Sequence, residues 1–309
     1  PGQAAGIKIF MGASTGNMLV DNEETLAGIF RDAPALIATH CESTPLIDAN
    51  LAAALEKYGP EIPVTEHPNI RSAEACYVST VLAQELARRY SAPLHVLHLS
   101  TGREMELFEP GPMADKLITA EICVHFLHFD SSHYPSHGNR IKCNPAIKTP
   151  ADRAALLQAL KDGRLDIIAT DHAPHTAEEK AATDYRKAPS GLPLVQDALL
   201  SVLELHHDGD LGLEQIVRLT AHNVADRFKV VDRGYLREGY WADLVLVDLA
   251  APTAATADRV LSQCGWTPFE GETFRSSIAR TIVNGQTVFD GEAIVETDAA
   301  QRLEIGSQR

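Results

Sequence analysis

The chain has 309 residues, of which 45% are hydrophobic and 22% charged, and its formal net charge is −15. That length suits one large α/β domain or two smaller ones, and no stretch approaches the ~18 consecutive apolar residues of a membrane span. So large an acidic excess argues against a nucleic-acid footprint and leads us to expect a soluble, cytoplasmic protein acting on a small molecule.

The opening residues, PGQAAGIKIF, show neither the basic start nor the long apolar run of a signal peptide. A first strand is expected at 7–11, with Lys8 inside it. An unpaired ammonium within a buried strand is costly, so Lys8 is hard to read as an ordinary core residue. A helix over 23–32 leads to a second strand at 36–39, and His40 closes it in LIATHCE. A long amphipathic helix at 72–90, with apolar residues three and four apart, precedes a third strand at 94–99 that ends near His98. His95 alternates with His98 along that strand and points elsewhere. A fourth strand is expected at 117–124. His125, His128, His133 and His137 follow it and read as loop and surface residues. In IKCNPAIKTP, Asn144 either starts the turn before Pro145 or donates to a substrate. After a helix at 151–161, a fifth strand at 166–170 ends abruptly in Asp171, His172 and His175.

Two further helices are expected at 193–206 and 213–228. His206 and His207 end the first of them, where an imidazolium suits the helix dipole. Beyond about residue 230 the character changes to strands such as YWADLVLVDL, joined by Gly- and Pro-containing loops. Alternating strands and helices mean βαβ units and a parallel sheet. The division is therefore an α/β domain over 1–228 and a small β segment over 229–309. The five cysteines have no CxxC spacing and an odd count, which suits reduced thiols rather than disulfides.

In parallel α/β folds, reactive side chains gather where strands end. Lys8, His40, His98 and Asp171 stand on four strands at one rim. Imidazole and carboxylate are ligands that Zn²⁺ accepts, so the set is a candidate metal constellation. Each residue alone has an ordinary reading: a strand-end His is commonly a hydrogen-bonded core residue, and Asp at a strand–loop junction is commonly a turn residue. Their joint placement carries the metal reading.

The ordered segments GIKIFMGAS, ATHCE, HVLHLST, CNPAIKTP, ATDHAPH and ADLVLVD resemble the dihydroorotases, members of the amidohydrolase superfamily. The resemblance implies a (β/α)₈ metal-dependent hydrolase barrel with an appended β-sandwich. It implies two divalent metals, usually zinc, bridged by carboxylated Lys8, with His40 and His98 on one ion and Asp171 on the other as acid and base. Asn144 and His175 would contact the substrate, His175 at its carboxylate. The implied reaction interconverts N-carbamoyl-L-aspartate and dihydroorotate in pyrimidine biosynthesis, and a homodimer is an assembly the family uses.

One departure stands out. The family carries an HxH pair on its first barrel strand, followed by an arginine, and no HxH occurs in these 309 residues. Five βα strands are read where eight are required, the first matching the family's fourth. The expectation is a chain truncated or cleaved before that point, lacking the N-terminal sandwich segment and three βα units. Two alternatives follow. One is a non-catalytic dihydroorotase-like partner, for instance of a transcarbamoylase, which should have lost several ligands. The other is a hydantoinase or dihydropyrimidinase, against which His175 argues. The polar segment 176–189 is open between a lid and an ordinary surface loop.

Overall fold

The structure is a computed structural model that describes residues 4–12 and 19–306. The chain opens with β1 (Ile7–Phe10), α1 (Glu23–Asp32), β2 (Ile37–His40), α2 (Thr44–Tyr58), the short α3 (His67–Ile70), α4 (Ala73–Tyr90) and β3 (Leu94–Val96). Next come β4 (Ile118–Cys123), α5 (Val124–His128), α6 (Tyr134–His137), α7 (Pro150–Lys161), β5 (Ile167–Ala169) and α8 (Ala177–Lys180). Helices α9 (Ala198–His207), α10 (Leu213–Val217) and α11 (Asn223–Phe228) complete the α/β part.

Local chemistry sets these helices. Asn22 caps α1 by accepting from the Thr25 amide at 2.9 Å, with Glu23 and Glu24 in the first turn and Arg31 in the last, as the helix dipole favours. Thr149 and Asp152 form a reciprocal capping box at the start of α7, behind Pro150. Helix α2 has no clear signature in the sequence. Its LAAALEKY stretch offers no clean apolar stripe, only Ile47 and Ala54 are buried, and Ser43 makes no side-chain cap. It packs instead on a small separate core with Ile62, Ile70, Ala75 and Tyr185. The helix expected at 213–228 is interrupted: a π turn at Arg218–His222 separates α10 from α11.

All five expected strands of the α/β part are present and form one parallel sheet in the order β1-β2-β3-β4-β5. Ile37, Leu94, Val96, Ala120 and Ile122 on these strands are wholly buried, joined in one core by Leu26 and Phe30 of α1 and Leu86 of α4. Such near-continuous apolar runs are what a parallel sheet covered by helices needs. Among the described residues, one bridge, Phe10 to Leu19, lies outside β1 and one, His172 to Leu192, beyond β5.

From residue 229 the chain contains β6 (Leu244–Asp248), β7 (Thr253–Ala254), β8 (Thr273–Phe274), β9 (Ser277–Val283) and β10 (Gln286–Phe289). The order β10-β9-β6 makes an antiparallel sheet, and β7 pairs β8. No disulfide forms. Cys41, Cys76, Cys123 and Cys143 are buried, and burial pushes the Cys41 and Cys143 thiols up to about 12.

Candidate active site

Parallel pairing brings the C-terminal ends of β2, β3 and β4 side by side: the Leu97 amide donates to the Thr39 carbonyl and the Leu99 amide to the Glu121 carbonyl. His40 is the last residue of β2 and His98 lies two beyond β3. Their rings meet edge to face, with His40 Nδ1 3.0 Å from His98 Nε2. Both residues are buried. His98 has φ of 41° and Asp171, two beyond β5, has φ of 48°. Left-handed backbone at a non-glycine residue carries a cost, and it recurs where a side chain must be aimed at a functional site.

Behind this pair stands a buried carboxylate. His40 Nε2 lies 3.0 Å from Glu42 Oε2, a close contact without the alignment of a ring N–H hydrogen bond. Glu42 is also paired with Arg71. Burial opposes the charge on Glu42, but Arg71 and His40 outweigh it and hold the carboxyl down at about 2. Glu121 of β4 holds the backbone rather than the ring of His98, accepting from the His98 amide at 3.3 Å and contacting His95 Nε2 at 3.1 Å. His95, whose other ring nitrogen bonds Thr119 at 2.8 Å, is thus engaged away from the pair, as expected. Burial, reinforced by the neighbouring His40, pushes His98 down to about 4, so its imidazole is neutral at pH 7 and free to act as a ligand.

These contacts suit a metal ion in part. Zinc bound by two imidazoles at ~2.0–2.1 Å holds their nitrogens about 3.3 Å apart, so His40 and His98 need open by only a few tenths of an ångström. A carboxylate behind a ligating histidine is the usual orienting arrangement. Among the described residues, however, no group of three or more His, Cys, Asp or Glu lies within coordinating reach. Asp171 and Lys8 act on His98 through their charges, Asp171 favouring its protonation and Lys8 opposing it.

Two sequence expectations need correction. Lys8 is exposed among the described residues, and its ammonium sits 4.7 Å from the Phe10 ring centroid; there it is not a buried ammonium. His125 is no surface residue. Helix α5 starts directly after β4 and carries the ring inward, where it is buried with neither nitrogen hydrogen-bonded. Charge interactions with Asp171 and His98 put it near the same strand ends, and burial pushes it down to about 3.

The two candidate substrate residues stand on loops. Asn144 precedes Pro145 through a cis peptide bond, and its Oδ1 is buried without a partner. His175 is half-buried, its Nδ1 is 3.7 Å from Glu179 Oε2, and its carbonyl accepts from Trp266 Nε1 at 2.8 Å. Gly191 packs against it: φ there is +148°, and a Cβ would lie 2.5 Å from the Ala173 carbonyl oxygen and 3.2 Å from His175 Cδ2. Neither Asn144 nor His175 is hydrogen-bonded to the His40–His98 pair among the described residues. His172 is structural, its Nδ1 accepting from the Leu194 and Val195 amides at 2.9 and 3.1 Å.

Sequence reasoning missed Glu42, Glu121 and Arg71. Glu42 had a signal, a carboxylate two residues after a strand-end histidine. Arg71 meets it from 29 positions away and had none.

Residues 94–288 match the amidohydrolase family. Among curated proteins, the chain is 34% identical to a dihydroorotase of Halobacterium salinarum, covering 94% of this chain and 66% of that protein. It is 32% identical to a dihydroorotase of Methanothermobacter thermautotrophicus, covering 94% and 64%. The chain thus spans about two thirds of the length of these relatives. Among solved structures, the L-hydantoinase (dihydropyrimidinase) of Arthrobacter aurescens superposes with a TM-score of 0.90 at 24% identity, covering 98% of this chain and 68% of that one. The dihydropyrimidinase of Brevibacillus agri gives 0.83 at 23% identity, covering 94% and 65%.

Proposed function

Because the chain belongs to the amidohydrolase family, we propose that it forms the larger part of a dihydroorotase, which interconverts N-carbamoyl-L-aspartate and dihydroorotate. The observation that carries this is the convergence of His40 Nδ1 and His98 Nε2 at neighbouring strand ends, backed by Glu42. The names of the sequence relatives supply the substrate. The five parallel strands are read as part of a (β/α)₈ barrel. In a protein of the relatives' length, the remaining third would supply the strands between β5 and β1.

His40 and His98 would hold one divalent ion, zinc by the chemistry of the donors. Asp171 would hold a second, and Lys8, carboxylated on Nζ, would serve both. Metal held there would supply a deprotonated water at neutral pH and would polarise the amide carbonyl. The chain's own residues do the rest. Glu42, fixed by Arg71, orients the His40 ring. Asp171 takes a proton at a carboxylate oxygen during ring opening and passes it to the departing ring nitrogen; closure reverses the transfer. Asn144 Oδ1 accepts from a substrate N–H, and His175 reads the carboxylate.

In the full-length protein, His98→Ala should lower the bound zinc per chain and reduce dihydroorotate ring opening by at least about a thousandfold. Metal analysis and turnover both read this. Unchanged zinc content with unchanged turnover would overturn the assignment.

A further inference from the structure

Asn144 presents a buried acceptor that nothing among the described residues satisfies, and an unmet buried polar atom costs about 1–3 kcal/mol. The peptide bearing it is held from behind. The carbonyl of Cys143, the residue before it, lies 2.7 Å from His67 Nε2, and His67 Nδ1 lies 2.6 Å from the Tyr185 hydroxyl. A carbonyl only accepts, so Nε2 carries the hydrogen. The neutral ring then accepts at Nδ1 from the Tyr185 O–H, and every donor in the chain has one acceptor. His67 is 1% exposed, Cys143 2% and Tyr185 7%, so water does not compete for these bonds.

The same two segments are tied a second time. Lys142 Nζ donates to the Tyr185 and Ala188 carbonyls at 2.7 and 2.5 Å and lies 4.3 Å from the Tyr185 ring centroid. Lys180 Nζ donates to the carbonyls of Lys142, Pro189 and Gly191, each at 3.0 Å, and the Gly191 amide returns to the Lys142 carbonyl at 2.9 Å. Both ammonium groups are buried and spend their donors on backbone carbonyls. Gly191 in turn touches His175. The segment 142–144 and the loop 180–191 are therefore cross-linked by buried hydrogen bonds, and each borders one of the two candidate substrate residues.

We propose that Tyr185 and His67 are positioning residues: their hydrogen-bond chain to the Cys143 carbonyl fixes the peptide that presents Asn144 and locks it to the loop behind His175. This rests on the reading that Asn144 contacts the substrate. By the same geometry, 180–191 is a fixed wall of the site rather than a lid.

Tyr185→Phe removes one hydroxyl and leaves the ring beneath Lys142, so the fold should survive. In the full-length protein it should raise KM for dihydroorotate about tenfold, with kcat within about twofold and zinc content unchanged. Combined with Asn144→Ala, it should add nothing to the effect of Asn144→Ala alone, as expected of residues acting through one another. Independent, additive losses would overturn the proposal, as would an unchanged KM in Tyr185→Phe. If Asn144→Ala itself leaves KM unchanged, the reading of Asn144 fails and hydrogen exchange decides the lock separately. In Tyr185→Phe the Lys142 and Gly191 amides, bonded to the Asn139 and Lys142 carbonyls, and the amides of 186–188, bonded to Asp184, should lose protection together; loss confined to 186–188 would show that no lock exists.

Discussion

Two imidazole nitrogens facing each other at 3.0 Å can share one proton, which satisfies one lone pair, or one cation, which satisfies both. That choice was half legible from sequence. His40 and His98 could be named because each follows an apolar run that had to be a strand, and strand ends in parallel sheets gather at one rim. Glu42 sat in plain view two residues on. His67 and Tyr185 were beyond reach, being 118 positions apart and joined only by the fold. His125 was misplaced because a loose group of histidines after a strand reads as loop, whereas α5 begins at once and buries the ring. His67 also yields a pH prediction. Burial, then the charge of Arg71 with smaller contributions from Lys142 and Lys148, lowers its pKa well below the ordinary 6.5, against the pull of the Cys143 carbonyl. Below about pH 6.5 the unfolded chain takes up a proton that the folded ring refuses, so stability from this group is full above that pH and drains away beneath it. Unfolding free energy measured in urea between pH 7.5 and 5 should fall less steeply for His67→Gln than for the unaltered protein. Equal slopes would show that the ring is not held neutral.

At the level of elements, the strands were readable because burial on both faces leaves near-continuous apolar runs. Helices α1, α4 and α7 were readable from their spacing, and their caps explain where they begin. Helix α2 was not, since most of its surface faces neither core nor a clear stripe. Loops carry the rest of the site, and their conformation depends on contacts no local pattern encodes. Gly191 is the sharpest case: a side chain there would meet the Ala173 carbonyl and press on His175, at a φ that L residues rarely adopt. Gly191→Ala should cost about 1–3 kcal/mol and raise KM for dihydroorotate more than it lowers kcat. Calorimetry and steady-state kinetics read the two effects. An unaltered melting temperature would mean that the loop yields without strain and that the contact is unimportant.

Across the whole molecule, no helix among the described residues is long and apolar enough to cross a membrane. An apolar groove of about 650 Å³ runs beside β5, lined in part by Ile168, Leu199 and Ile216, with Val195 60%, Val217 46% and Val245 47% exposed along it. A contiguous apolar groove next to a strand with one outer bridge is a surface that seeks a cover. The 309-residue polypeptide expressed alone should therefore associate as its concentration rises, visible by sedimentation velocity; a monomer at all concentrations would contradict this reading of the groove. The sequence pattern could announce a parallel α/β sheet and a β-rich end, yet the anchoring of one to the other, through Trp266 on the His175 carbonyl, had no local signature. The central claim is that these strand ends act on a cyclic amide bearing a carboxylate. A site built to hydrogen-bond that carboxylate loses heavily on an analogue without it, because its buried polar groups are left unpaired. The direct test is kcat/KM of the zinc-loaded full-length protein for L-dihydroorotate against dihydrouracil. We predict a preference for dihydroorotate of at least about a thousandfold; turnover of dihydrouracil with none of dihydroorotate would contradict the account.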